Sequence, residues 1–319
     1  MLKILKKNFL IQQFIYILKL LSIINWNKMK TVKFILVITL LISFIQGSTL
    51  QAQCSDAGVC VVGSDHSSGF RSKSPRNNIN FDYSLALSGN PDKITYNLFR
   101  FSSEIYLDNE YSVFISVPLQ FETSKVYNAN NGGLGDVLLM LNKSFAMQSN
   151  NFFNLQIGAK LPTSSIAKRN FLYFNGYGTL DIIAGASCTF SNFNFGLFAQ
   201  LPVTTFKEDL YNFERGADIM LRGAYKFYLD DWAIKLECLA IKRLKESSLT
   251  VKTFTPNVTI PITNSDFFQL NGIVGAEYKI NRDFLIDLNA AVPFLQRKEN
   301  SDGTKRAFTI QTGIKYSFN

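Results

Sequence analysis

Residues 130–145 read NNGGLGDVLLMLNKSF, and two very different folds compete for them. Three glycines in four positions (Gly132, Gly133, Gly135) precede an acid, Asp136, and an apolar segment. Such a run suits a loop that cradles a phosphate, and equally a turn that launches a membrane strand. The residues after the glycines decide. Val137, Leu139 and Leu141 alternate with Asp136, Leu138, Met140 and Asn142, and a period of two belongs to a strand. A phosphate site needs the N-terminal amides of a helix. GGLGD also lacks the Lys-Ser/Thr of a P-loop and the spacing of GxGxxG. The nucleotide reading therefore fails.

The same alternation recurs from residue 79 onward. Ile79, Phe81, Tyr83, Leu85 and Leu87 share one face of INFDYSLALSG, and Asn80, Asp82, Ser84 and Ala86 the other. Comparable runs are YSVFISVPL, FFNLQIGAKL, FLIDLNAAVP and the C-terminal RAFTIQTGIKYSF. Twelve segments follow the rule, at 79–89, 94–106, 111–119, 135–145, 152–161, 179–190, 194–202, 217–228, 232–242, 267–280, 284–293 and 306–318, the second being the least regular. Strands of about ten residues are the length that crosses a bilayer at a tilt. Short turns (107–110, 146–150, 191–193, 229–231, 281–283) alternate with long connections (120–134, 162–178, 203–216, 243–266, 294–305), except for the brief first loop around Asn90–Lys93. That pattern is the one of tight periplasmic turns and longer external loops.

The reading is all-β: a transmembrane antiparallel β-barrel of about 12 strands spanning residues 79–319, placed in the outer membrane of a Gram-negative bacterium. Closure removes sheet edges that lipid would not tolerate. An even strand number leaves both termini periplasmic. Tyr316 and Phe318 close the last strand with aromatics, a signal for the barrel-assembly machinery, although Asn319 follows. Cys188 and Cys238 fall on the lipid-facing register, so a bond between them is not expected.

Composition agrees. Charged residues are 18% of the chain, against about a quarter in soluble proteins. The net charge of +9 misleads, because seven of the 33 Lys and Arg residues lie in residues 1–53, where no acid occurs. The remainder is close to neutral, and no nucleic-acid partner is expected. With His66 as the single histidine, metal and acid–base chemistry have little to work with. No cofactor is implied. Lys30 and Lys33, the apolar run 34–45 and the small residue Ala52 read as a secretory signal. Residues 1–52 are thus a misassigned extension plus signal peptide, with Met29 the expected start. Residues 53–78 follow as a periplasmic or plug-like segment, in which Cys54 and Cys60 are close enough for a small disulfide.

A second glycine-rich launch, NGYGTLDIIAGAS (175–187), leads into Asp181, and Pro recurs at the ends of upward strands in VPL, KLP, QLP and VPF. Proline there removes a ladder donor where pairing stops. Pro-Leu strand ends, a GLGD turn at 133–136 and a G-x-G-x-x-D launch at 176–181, in this order, resemble the outer-membrane channel family named for the meta-pathway of phenol degradation. The similarity spans residues 80–318. It implies a barrel that passes small, often apolar or aromatic, molecules, and it brings no catalytic residues.

Inward candidates for a lumen lining are Asp82, Asp136, Lys160, Asp181, Asp218, Arg222, Lys226, Lys235, Glu237, Glu277, Lys279, Asp287 and Lys315. Both signs are present, so they either pair into a brace or line a solute path. Some twelve-stranded barrels are lipases, but nucleophilic hydrolysis wants a base beside its serine, and His66 precedes the first strand. No enzyme is expected. The functional reading is a passive channel for small solutes with membrane lipid around it. The alternative is a non-conducting structural or interaction barrel that presents external loops, 243–266 above all, to a partner.

Overall fold

The structure, a computed structural model, describes residues 76–88, 93–124, 129–147, 151–164, 178–207, 210–252, 256–297 and 306–319. The leader, Cys54, Cys60 and His66 lie outside the described residues. No helix occurs among those that are described. In chain order the strands are β1 (Asn77–Ser88), β2 (Ile94–Tyr106), β3 (Tyr111–Ser124), β4 (Ala129–Leu134), β5 (Val137–Ala146), β6 (Phe152–Leu161), β7 (Asp181–Phe190), β8 (Phe193–Pro202), β9 (Phe206–Lys207), β10 (Tyr211–Glu214), β11 (Asp218–Leu229), β12 (Trp232–Arg243), β13 (Ser248–Val251), β14 (Val258–Pro261), β15 (Gln269–Lys279), β16 (Phe284–Leu295) and β17 (Arg306–Phe318).

Twelve staves form a closed antiparallel barrel. The ladder runs β2, β1, β17, β16, β15, β12, β11, β8, β7, β6, β5, β3, and β2 pairs with β3 to complete the ring. These are the twelve segments read from the alternation; β2, β6 and β17 match it at both ends. β1 begins at Asn77, two residues inside the segment read as preceding the barrel.

The opening stretch holds a correction. Residues 120–134 were expected as loop, but β3 continues to Ser124, and β4 pairs back onto it through Gly132 and Gly133. Only Gly135 and Asp136 interrupt the strand, so β4 and β5 are one stave with a break. The cause is Pro118, expected at a strand end but found inside β3. Its carbonyl accepts from the Gly135 N–H at 2.8 Å. Pro118 has no N–H to return, so the ladder breaks opposite it. Gly132 is bare for a reason too: the Phe121 ring lies where its Cβ would stand.

The outer face is apolar and exposed, as in Ile157, Leu197, Leu221 and Leu288. In lipid such a face needs no cover. Aromatic pairs gather at the short-turn rim: Phe145–Phe153, Phe193–Tyr225, Trp232–Tyr278 and Phe284–Tyr316. The Tyr and Trp rings among them, with one apolar and one polar side, settle at a membrane interface. Lys143 sits over the Tyr111 and Phe145 rings in the same belt. Cys188 and Cys238 are free, on β7 and β12, with β8 and β11 between them.

At the opposite rim, two of the long connections are not irregular. β9 and β10 pair with each other, β13 and β14 form a hairpin, and β10 joins β13, giving a separate four-stranded sheet. Phe206 and Phe213 are buried at its centre, with Tyr211, Leu249 and Ile262 packed around them.

Candidate functional site

The barrel interior is where this chain concentrates polar chemistry, and the alternation places it there. On each stave every second residue turns inward. Of the thirteen residues read as inward, Asp82, Asp136, Lys160, Asp181, Asp218, Arg222, Lys226, Glu237 and Lys315 are buried, while Lys235, Glu277, Lys279 and Asp287 are half-buried. A charge removed from water needs a partner, and the register brings partners together.

One group lies on the β1–β2 and β15–β17 side. The Arg100 Nε and Nη2 donate to Asp82 Oδ2 at 2.9 Å each. Gly313 lies between Asp82 and Asp287 in the ladder. The two carboxylates close on the space a side chain at 313 would fill. Asn289 Nδ2 donates to Asp287 Oδ1 at 2.7 Å. Next to it, Glu237 accepts from Arg222 Nη2 at 2.5 Å and pairs with Lys235 at 3.2 Å, and Lys226 reaches Glu277 at 3.4 Å.

A second group rings the loop-side mouth. Lys160 stands 3.2 Å from Asp181 and 3.8 Å from Asp136. Asp181 also accepts from Thr179 Oγ1 (3.0 Å), Gln200 Nε2 (2.6 Å) and Arg215 Nη2 (2.9 Å). Both glycine-rich launches thus end on an acid held inside the mouth. Gly178 has a φ of 58°, a left-handed conformation that glycine takes without strain. Asp136 accepts from the Ser164 amide at 3.1 Å, and Thr163 Oγ1 accepts from the Val137 amide while donating to the Gly135 carbonyl. Asp218 is held by Arg243 through Nε and Nη2, both at 3.0 Å, and by Arg297 Nη2 at 3.0 Å. Lys279 and Lys315 stand toward the short-turn rim, where the Lys279 amide donates to the Asp231 carbonyl at 2.8 Å.

Between these polar groups lies an apolar patch. Phe114, Leu138, Met140, Ile183, Phe198, Met220, Leu239 and Ile241, from β3, β5, β7, β8, β11 and β12, form one buried cluster on inward positions. Phe198 lies along the wall: a Cβ on Gly185 or Gly196 would strike its ring. Met140 occupies the corresponding space at Gly158.

Several interior charges escaped the sequence reading. Arg100 and Glu104 sit on β2, whose faces exchange polarity halfway: Ile94, Tyr96 and Leu98 turn inward above Arg100, Ser102 and Glu104. Period two persists there, but hydropathy does not follow it. Glu122 lies on the part of β3 read as loop, and Arg215, Arg243 and Arg297 at strand ends or in connections; all four are buried. A lone arginine in a connection carries no sequence signal that separates burial from solvation.

No family model and no curated protein matches the chain. Solved structures do. An outer membrane channel from Pseudomonas putida F1 is 12% identical, covering 80% of this chain and 98% of its own, with a TM-score of 0.61. This is a closed outer-membrane β-barrel. At that identity the likeness establishes the shared fold and no more. Looser likenesses are to the toluene transporter TodX of Pseudomonas putida (9% identity, 86% and 98% coverage, TM-score 0.43) and the transport unit of the autotransporter AIDA-I from Escherichia coli (14%, 84% and 100%, 0.41).

Proposed function

We propose that the barrel is a channel for passive passage of small, apolar or aromatic solutes across the outer membrane. The observation that carries this reading is the inward apolar patch from Phe114 to Ile241. A barrel that only enclosed water would gain nothing by turning eight large apolar side chains inward, since burying them away from lipid offers no advantage. A patch of this kind gives an apolar solute a surface between two polar zones. Asp82, Lys226, Lys235, Glu277, Asp287 and their partners then line or brace the path, and Lys160, Asp136, Asp181 and Asp218 stand at its outer end. The reading is one of transport rather than catalysis. Membership of the family named for the meta-pathway of phenol degradation belongs to the same proposal, as do the signal peptide, the segment 53–78 as periplasmic or plug-like, and recognition of Tyr316 and Phe318 by the assembly machinery.

Two observations favour the alternative, a non-conducting barrel that offers its loops to a partner: interior side chains such as Arg243, Ile241 and Gln200 show no exposure at all, and the external sheet presents Val258 and Ile260 to solvent. Liposome swelling with a matched panel (toluene, benzyl alcohol, benzoate, arabinose), run on the mature chain and on a form lacking residues 53–75, separates the two. Faster entry of the neutral aromatics than of arabinose in either form supports the channel. Impermeability of both forms to every solute counts against an open path and favours the interaction barrel.

A further inference from the structure

The cluster around Asp218 joins the barrel wall to the loops above it. Asp218 and Arg243 are direct cross-strand partners on β11 and β12, so the barrel wall fixes them. Two further arginines come from connecting segments: Arg215 from the link between β10 and β11, and Arg297 from beyond the end of β16. Arg215 Nη1 lies 3.9 Å from Asp218 while its Nη2 holds Asp181 at 2.9 Å. The Asp218, Arg215, Arg243 and Arg297 side chains are 0–1% exposed.

Other connections are stitched to the same point. Arg243 Nη1 donates to Ser247 Oγ at 3.1 Å, and the Ser247 amide donates to Ser265 Oγ at 2.9 Å. Arg297 Nε donates to the Phe267 carbonyl at 3.2 Å. Gly216 packs so closely on the Lys245 carbonyl and the Arg243 stem that no Cβ fits. Arg215 and Arg297 thus reach the carboxylate itself, while the β12–β13 and β14–β15 connections are tied to its arginines through Ser247 and Phe267. One inward step down the same two strands stand Met220 and Ile241, the edge of the apolar patch.

We propose that this cluster is a latch that holds the loop-side mouth closed over the apolar interior, and that the channel opens when Arg215 and Arg297 lift away from Asp218. The inference deepens the channel reading and rests on it. A buried ionic cluster is a poor way to gain stability, because apolar packing of equal volume does as well or better; its attested use is to choose between arrangements. Here the wall-borne half, Asp218 with Arg243, stays paired when the loops leave, so neither state strands the carboxylate. Opening admits water to the guanidinium groups, which offsets what the released pairs lose.

The test compares planar-bilayer currents of the full mature chain with those of Asp218→Asn, Arg297→Gln, Asp218→Glu and the form lacking residues 53–75. Unboiled gel mobility confirms that each is a folded barrel. The latch predicts a wild type that is closed most of the time. Losing one buried partner shifts the balance toward open by about tenfold or more in Asp218→Asn and Arg297→Gln, while Asp218→Glu keeps wild-type behaviour. Arg297→Gln leaves the strand ladder whole, so it decides the matter if Asp218→Asn does not fold. Wild-type currents in both variants, with current from the truncated form, would overturn the latch and leave the channel standing. A wild type already open most of the time overturns the latch as well. Silence in every form removes the channel and the latch together.

Discussion

Two sides of the same interior solve burial differently. Along β5 to β8 the inward positions carry Leu138, Met140, Ile183 and Phe198, and neighbours are fitted by shape: glycines at 158, 185 and 196 make room for Met140 and Phe198. Along β11 to β2 they carry Arg222, Glu237, Lys235, Glu277, Asp82 and Arg100, fitted by charge. The lesson is that alternation fixes which residues turn inward but not what they must be. Either surface is tolerated when each group finds its complement.

The strongest way to break the charged side is Glu237→Leu, which leaves Arg222 and Lys235 facing each other without their shared acid. Unfolding in urea from lipid vesicles, followed by Trp232 fluorescence, should show a loss of about 3–5 kcal/mol. A loss under about 1 kcal/mol would mean that these charges behave like exposed ones. The second test leaves the interior alone: Leu197→Arg, on the lipid side next to Phe198, should cost about 2–4 kcal/mol in the same assay. If it proves neutral, the assignment of faces on β8 is wrong. Ile183→Val trims one methylene from the apolar side, and about 0.5–1.5 kcal/mol is expected; a gain in stability would show that the patch is overpacked.

The smallest effect lies outside both sides, at the β2–β3 turn. Asp108 Oδ1 accepts from the Tyr111 and Glu110 amides, both at 2.7 Å, and these bonds hold its carboxyl below the ordinary value of 3.8. A carboxyl depressed on folding favours the turn above its ordinary value and loses that contribution as pH falls through the folded one. Amide exchange at Glu110 and Tyr111 should therefore stay slow at pH 6, relative to Asp108→Ala, and the difference should vanish only in strong acid. A difference that disappears near pH 6 would contradict the assignment.

How much of this was legible beforehand depends on the physics each element answers to. Strands such as β6 and β17 were readable because one face meets lipid and the other does not, so hydropathy marks every residue. The β3–β4 hairpin was not, because its buried inward face is itself polar; in sequence Gln120 and Glu122 look like any polar loop. The pairs Arg222–Glu237 and Lys160–Asp181 combine residues from different staves, and each member could be placed inward without its partner being known. Arg215 and Arg297 gave no warning, since only the folded loops bring them to Asp218.

Arg76, just ahead of β1, donates to Asn319 Oδ1, the Arg282 carbonyl, Asp283 Oδ1 and the Ser317 carbonyl. Its partners stand more than 200 residues later in the chain, beside the seam where β1 meets β17. Contacts of such separation are the slowest to form. The guanidinium can complete its bonds only once the final strand has arrived, so during assembly Arg76 acts as a fastener that is done up last, and its protection marks the moment the cylinder becomes whole.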